Sequence, residues 1–379
     1  MTPVTAFPIL QFGTSRFLQA HADLFVSQAM AQGQAVGPIA VVQTTRSAAS
    51  GKRLAAFATG QPYPVEIKGL ADGAVVSERI EVRSIGAGLD ANRQWREVER
   101  LFCAASHVIS NTGDRGYDTH AGDRPDDEPP RSFPAKLAKL LIARHRADAG
   151  PLTLLPCELT PSNGLMLRAA LLGVLDRWRV AATTRGFVAE DCIWVNSLVD
   201  RIVSEPLDPV GAVAEPYALW AIEQQPGLTP PCRHADMVVT GDLKRYERLK
   251  LFILNLGHSY LAELWAGRGG DAALTVREAM ADQAIRAELD EVYDGEVLPA
   301  FAALGMADEA RSYRAVVVER FQNPFLNHRL ADIFANHAEK KQRRFGGLID
   351  LIDANGVGVK LPRLRSALGR AGLVRDQAG

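Results

Sequence analysis

The chain has 379 residues, 47% hydrophobic and 23% charged, with 43 Lys and Arg against 44 Asp and Glu for a formal net charge of −1. That is the composition of a globular protein long enough for two domains with separate cores, and it excludes a disordered or collagen-like chain. Opposite charges are interleaved, as in Arg277-Glu278 and Glu319-Arg320, so no basic stripe offers itself to a nucleic-acid backbone.

Met1 to Gln11 has no basic segment ahead of its apolar residues. Nowhere do about eighteen apolar residues run together, so the expectation is a cytoplasmic protein without a membrane span. Cys103, Cys157, Cys192 and Cys232 are dispersed and form no C-x-x-C pair, which points to reduced core thiols rather than a disulfide framework. Cys232-Arg233-His234 is the one close Cys/His pair, and with no further partners at zinc-site spacing no metal is expected.

In chain order, Pro8 to Phe12 reads as a first strand, Arg16 to Gln32 as a helix, Ile39 to Gln43 as a second buried strand and His107 to Ser110 as a later one. Strands alternating with helical stretches predict a parallel sheet with crossover helices, with ligands at the polar strand ends. Val65 to Lys68 and Ala74 to Val82 alternate apolar with polar residues around Asp72-Gly73, the signature of an inserted β-hairpin. Asp118 to Pro134, rich in Asp, Pro and Gly, reads as a solvated loop. Leu152 to Pro156 and Cys192 to Val195 read as further strands, and β signals end at Val239-Thr240. From Asp242 onward the pattern is helical. The prediction is therefore an α/β fold with a Rossmann-like doubly wound domain over 1–240 and a mostly helical domain over 241–379, with the boundary near Gly241.

Gly13-Thr14-Ser15-Arg16-Phe17 lies between the first strand and the first helix, where a dinucleotide turn belongs. It departs from G-x-G-x-x-G, because Ser15 and Leu18 hold the second and third glycine positions. Gly86-Ala87-Gly88-Leu89-Asp90-Ala91 is closer in spelling, yet it follows a hairpin strand and reads as a loop. The second strand ends in Gln43-Thr44-Thr45-Arg46, with no acid for a ribose hydroxyl and with a cation that could meet a ribose phosphate, so both NAD and NADP fit.

The segment from Tyr246 to His258 places Lys250, Asn255 and His258 in an otherwise apolar helix. At 3.6 residues per turn Asn255 and His258 are neighbours, with Lys250 in the same broad arc. A lysine among leucines is the kind of group that burial tunes for general-base work, an amide can donate to a developing oxyanion, and an imidazole can orient it. Taken as spacing alone, a snorkelling lysine, a helix-packing asparagine and a satisfied histidine explain the pattern better than a catalytic set does.

These residues resemble the catalytic motif of the mannitol dehydrogenase family of metal-independent polyol dehydrogenases and reductases: a lysine, an asparagine five later, a histidine three beyond. Further similar stretches are Asn196 to Ile202, Val41 to Gln43, Ile109 to Thr112, Leu155 to Leu159, Asn163-Gly164, Glu215-Pro216 and Asn323 to Phe325, spanning about residue 9 to about residue 345. They look most like the branch that reduces keto sugar acids. In the mannitol branch an asparagine follows the acid of the Pro-Cys strand motif, whereas here Leu159 follows Glu158. The resemblance implies a Lys250 general acid/base, with Asn255 stabilising the oxyanion, His258 positioning the reacting oxygen and Glu247 on the proton path. With strand-end position, it implies Gly13, Ser15, Phe17, Thr44, Thr45, Asn111 and Thr112 for an NAD cofactor, with NADP still open. Asp200, Asn327 and His328 would face a small-molecule sugar acid or polyol, and Arg329, Arg343 or Arg344 could fork onto its carboxylate. It implies neither nucleic acid nor membrane as a partner, and a monomer or homodimer. A hexitol or related uronate enzyme on the same scaffold is the alternative, as is a nucleotide-binding protein without turnover, because the helical domain is shorter than the family's.

Overall fold

The computed structural model describes residues 7–113 and 115–370. Six strands, β1 (Ile9–Phe12), β2 (Ile39–Gln43), β5 (Ile85–Asp90), β6 (His107–Ser110), β7 (Thr153–Pro156) and β8 (Ile193–Trp194), form one parallel sheet in the order β5-β2-β1-β6-β7-β8. The intervening strands β3 (Tyr63–Ala71) and β4 (Ala74–Val82) are the predicted hairpin. Asp72 (φ 51°) and Gly73 (φ 75°) both take the left-handed conformation that a two-residue hairpin turn demands.

The central strands of the large sheet are apolar on both sides because both faces are covered. Leu10, Phe12, Ala40, Val42, Val108 and Leu154 pack with residues of the helices Trp95–Ala104, Phe133–Arg146 and Asn163–Arg177. Ile9, Val41 and Ile109 on the opposite face are just as fully buried. This is a Rossmann-like doubly wound domain. Strand order reverses between β1 and β6, the switch point at which such sheets open a crevice beyond their carboxyl ends.

Two sequence readings are corrected. Gly86 to Ala91 is no loop: β5 pairs with β2 along its length and closes one edge of the sheet. The helix expected over Arg16 to Gln32 is two, Arg16–Gln19 and Ala22–Ala31, interrupted at His21. Two smaller sheets follow, β10-β11-β3-β4 with β10 (Val203–Pro206) and β11 (Ala212–Ala214), and β13-β12-β9 with β9 (Ser197–Asp200), β12 (Leu219–Glu223) and β13 (Met237–Thr240).

The chain divides into two compact units. The first holds residues up to Ile67, Glu78–Ala214 and Ala218–Leu243; the second holds Lys68–Ser77, Glu215–Tyr217 and Lys244 onward. The second is helical around a core that includes Ile253, Leu256, Tyr293, Phe301, Val317, Phe345 and Leu348. The hairpin tip belongs to it: Asn323 Nδ2 donates to the Lys68 carbonyl at 3.1 Å, and the Gly73 N–H donates to Glu319 Oε1 at 2.7 Å.

Cys157, Cys192 and Cys232 are buried, Cys103 half-buried, and all four are free thiols. Burial pushes Cys192 up to about 11 and Cys232 up to about 12. His234 is occupied by a bond to Gln28 Oε1 (2.8 Å) and by stacking on Phe25. Among the described residues no three metal-ligating side chains gather, and no helix is long and apolar enough to cross a membrane.

A buried carboxyl ties the hairpin to the first unit. Asp23 receives the Tyr63 hydroxyl at 2.9 Å, and its backbone carbonyl receives Ser84 Oγ at 2.7 Å. Burial pushes Asp23 up to about 7, against the opposing pull of its bonds from Tyr63 and Gln11. An unfolded aspartate releases its proton near about 4. Between these values the folded state holds more protons, so stability falls as pH rises from about 4 to about 7. Asp23→Asn should flatten that slope in thermal melts taken across the interval; an unchanged slope would show that Asp23 is ionised throughout.

Candidate active site

In the first unit the turn after β1 opens a cavity of about 500 Å³ at the switch point. Gly13, Thr14 and Ser15 form one wall, Gln43, Thr44 and Thr45 at the end of β2 another, Asn111 and Thr112 at the end of β6 a third. Gly13 has to be glycine: its φ is +120°, and a Cβ there would lie 2.7 Å from the Asn111 carbonyl oxygen. Ser15 does not stand in for a second glycine, since its hydroxyl accepts from the Leu18 N–H and caps the following helix. Phe17 is not a wall of this cavity; its ring stacks on His21 at 4.7 Å.

The cavity is electropositive. Among the described residues it is lined by Arg53, Arg115, Arg131 and Lys136 against one carboxylate, Asp118. Arg53 Nε donates to Thr14 Oγ1 (3.3 Å) and Nη2 to Ser50 Oγ (3.1 Å). Burial, and then the charge of Arg16, lowers its pKa. Burial brings Lys136 down to about 8, opposed by Asp123 and assisted by Arg46. Sequence reasoning missed Arg53 and Lys136. The available signal was a cation in the first turns of a helix that follows a polar strand end, Ser47 for Arg53 and Ser132 for Lys136. The Asp118 to Pro134 stretch is only partly a solvated loop: Asp118, Arg131 and Ser132 line the cavity, and Phe133 already begins a helix.

Beside the cavity, Glu158 collects the Thr112 N–H (2.9 Å), Thr112 Oγ1 (3.0 Å), Ser110 Oγ (3.1 Å) and Tyr117 hydroxyl (2.9 Å). Asn111 Nδ2 reaches the Cys157 carbonyl at 2.8 Å, so the ends of β6 and β7 are fixed to each other. Asn163, wholly buried, donates to the Pro156, Glu158 and Ser197 carbonyls, and a Cβ on Gly164 would fall 2.3 Å from the Val195 carbonyl oxygen. The Asn163-Gly164 pair is thus a brace for the strand ends. Asp200 ends β9, buried, in register with Leu219, and Arg201 donates to the Ala20 carbonyl at 2.7 Å.

In the second unit the expected catalytic helix is not a continuous α-helix. Leu243–Leu249 is α-helical, Lys250–Asn255 is a π-turn and Leu256–Gly267 resumes the α-helix. Positions five apart lie about 140° from each other on an α-helix, whereas i→i+5 bonding stacks them. The π-turn therefore brings Lys250 and Asn255 onto one side, an alignment that 3.6-residue periodicity could not supply. Both are half-buried, while Phe252 to Leu254 between them are buried. Glu247 is half-buried three residues before Lys250.

His258 is buried, its ring 4.4 Å from that of Phe321 and edge-on to His328 at 5.1 Å. Burial lowers the pKa of His328, with Asp332 opposing and Lys340 adding to the shift, and His328 Nδ1 is buried without a hydrogen-bond partner. Asn327 is exposed, as are Arg329 and Arg343, while Arg344 is turned into the helix. The structure thus carries Lys250, Asn255 and His258 on one helical run of the second unit and sets His328 against His258. Asn323 does structural duty: its Oδ1 accepts from Phe325 N while its amide holds Lys68.

Comparison with known proteins matches two family models along the chain. Residues 8–230 match the mannitol dehydrogenase Rossmann domain, and residues 242–367 match the mannitol dehydrogenase C-terminal domain. The altronate oxidoreductase of Bacillus subtilis (strain 168) is 31% identical over 366 residues, 90% of this chain and 74% of that protein. That of Klebsiella pneumoniae subsp. pneumoniae is 30% identical over 385 residues, 95% of this chain and 78% of its own length. Among solved structures, a D-sorbitol dehydrogenase in substrate-free form superposes with a TM-score of 0.81 at 20% identity, covering 96% of this chain and 80% of that one. The Pseudomonas fluorescens mannitol 2-dehydrogenase, in a ternary complex with NAD and D-mannitol, gives 0.74 at 21% identity, covering 96% and 78%.

Proposed function

The chain belongs to the mannitol dehydrogenase family and is a polyol or sugar-acid dehydrogenase, and we propose that it interconverts a secondary alcohol and a ketone on a sugar acid, altronate and tagaturonate, with NAD. The observation that carries this reading is Lys250, Asn255 and His258 at family spacing, in a chain alike along 90% of its length to an enzyme named altronate oxidoreductase. Leu159 after Glu158, 76% exposed, supports a sugar acid over a hexitol, for which the family would place an asparagine there.

The first-unit cavity fits a dinucleotide. Its strand-end turn admits no side chain at Gly13, and its cationic walls suit a pyrophosphate. Gly13, Ser15, Thr44, Thr45, Asn111 and Thr112 would line it, with Arg53 and Lys136 added by the structure; Phe17 would act behind the turn. When bound, the nicotinamide supplies or accepts the hydride. The protein's own part is proton transfer and charge stabilisation. In reduction Lys250 gives a proton to the oxygen that becomes the hydroxyl, and in oxidation it takes that proton back. The Asn255 amide donates to the same oxygen as negative charge gathers on it, His258 orients it, and Glu247 links Lys250 to solvent, passing a proton in during reduction and out during oxidation. Asp200, Asn327 and His328 would meet the rest of the sugar.

Two results test this. The kcat/KM for tagaturonate should exceed that for fructose by at least about 10²-fold, because a site that pairs with a substrate carboxylate, for which the exposed Arg329 and Arg343 are the cations at hand, rejects the analogue lacking it; a preference for fructose would move the assignment to the hexitol branch. Gly13→Ala should raise the Kd for reduced dinucleotide, followed by fluorescence, by about 5- to 10²-fold, since relieving the positive φ and the contact with Asn111 displaces the turn at a cost of about 1–3 kcal/mol. Unchanged binding would place the dinucleotide elsewhere.

A further inference from the structure

The helix carrying Lys250, Asn255 and His258 is gripped by two side chains, each from another π-turn of the second unit, Tyr293–Val297 and Gln342–Gly346. The Tyr293 hydroxyl donates to the Ile253 carbonyl at 2.9 Å, in the middle of the first π-turn. It does so across Gly257, where a Cβ would lie only 1.9 Å from the hydroxyl oxygen. Arg344 Nη1 donates to the Asn255 carbonyl at 3.0 Å and to the buried Ser259 hydroxyl at 2.7 Å. One guanidinium nitrogen thus bridges the residue that closes the π-turn and the residue next to His258.

This contact is an expensive way to hold a helix. Arg344 Nε is buried with no hydrogen-bond partner among the described residues. Burial, with the charge of neighbouring Arg343, brings the guanidinium down to about 10. A half-buried cation with one donor unsatisfied carries a desolvation cost that its remaining bonds offset only in part, so it is weak as a device for stability alone. A π-turn also has a nearby competitor, the α-helical register. Reverting to it would rotate Asn255 and everything beyond by about 100° relative to Lys250.

We infer that Arg344 is a positioning residue for the reaction: its bridge between the Asn255 carbonyl and Ser259 Oγ holds the π-turn closed and so fixes Asn255 and His258 in register with Lys250. The inference rests on the reading of those three residues as catalytic. It also removes Arg344 from the candidates for gripping a substrate carboxylate, because its Nη1 is committed to the helix.

The test compares Arg344→Met, Arg344→Lys and Lys250→Ala in the full chain, with steady-state kinetics, fluorescence titration of reduced dinucleotide and thermal melts. Arg344→Met should lower kcat by about 10²-fold, the effect of a displacement of order an ångström at the reacting groups. KM and the dinucleotide Kd should stay within about threefold, because the lost contact touches neither ligand. Its Tm should not fall. Arg344→Lys, a single point charge able to reach one acceptor of the two, should recover about tenfold of the loss. A kcat for Arg344→Met within about twofold of the parent, beside an inactive Lys250→Ala, overturns this inference and leaves the assignment of Lys250 standing. A parallel loss of kcat and Tm, with lysine no better than methionine, also overturns it, since Arg344 is then only a structural brace. Turnover retained by Lys250→Ala overturns both.

Discussion

Replacing Lys250 by alanine is expected to cut turnover by about 10²–10⁴-fold, the usual contribution of a general acid or base, while reduced dinucleotide binds as before. The separation follows from placement. Lys250 opens the π-turn of the second unit, and it is not a wall of the cavity that Gly13 and Asn111 enclose in the first. The loss should appear in kcat and in kcat/KM alike, because a proton is transferred only on the way to the transition state. A variant retaining more than about a tenth of the activity would take the proton-transfer role away from Lys250. A variant that lost dinucleotide affinity as well would show that the two units fail together.

The largest effect on stability is expected at Arg320. Its Nη2 and Nε meet Glu215 Oε1 and Oε2 at 2.7 and 3.0 Å, its Nη1 lies 3.2 Å from the Tyr313 hydroxyl, and its guanidinium sits 4.4 Å above the Tyr217 ring. Both charged side chains are about as buried as a core leucine, at 3% and 2% exposure. Arg320→Met removes the guanidinium that meets both oxygens of a buried carboxylate and should cost about 3–5 kcal/mol in chemical unfolding. Replacing Glu215 by Met in the same chain should recover most of that loss, because an apolar pair of similar volume needs no desolvation of charge. A single-variant loss below about 1 kcal/mol would mean that water reaches Glu215. The Glu215-Pro216 stretch picked out as family-like is thus an anchor of the second unit.

Most of the sheet was legible because its strands are buried on both faces. Ile39 to Gln43 and His107 to Ser110 carry consecutive buried apolar residues and end in polar ones, and both occur as read. The hairpin was legible because Asp72-Gly73 specifies its own backbone. β5 was hidden, since its glycines spell a loop. They are there because Phe7 and Pro38 press on Gly86, and the backbone of Leu54 and Ala58 comes within 2.9 Å of where a Gly88 Cβ would stand. No local pattern reports such contacts.

The candidate site divides in the same way. Gly13, Thr44, Thr45, Asn111 and Thr112 follow from one rule, that ligands meet the ends of strands at a switch point. Arg53 and Lys136 come to the cavity from helices, and Arg344 reaches Asn255 from 89 residues away, so only the fold reveals them. The spacing of Lys250, Asn255 and His258 was legible, but their alignment was not. It depends on a π-turn whose carbonyls are met by Tyr293 and Arg344, partners that no helical periodicity encodes.

The most direct measurement is the near-ultraviolet absorbance of reduced nicotinamide when the protein is mixed with tagaturonate as the sole oxidant. The account predicts a decay that runs to equilibrium with altronate, that is slow or absent with fructose and that is lost in Lys250→Ala. No decay with tagaturonate, fructuronate or any ketose, in a protein that still binds the dinucleotide, would contradict it.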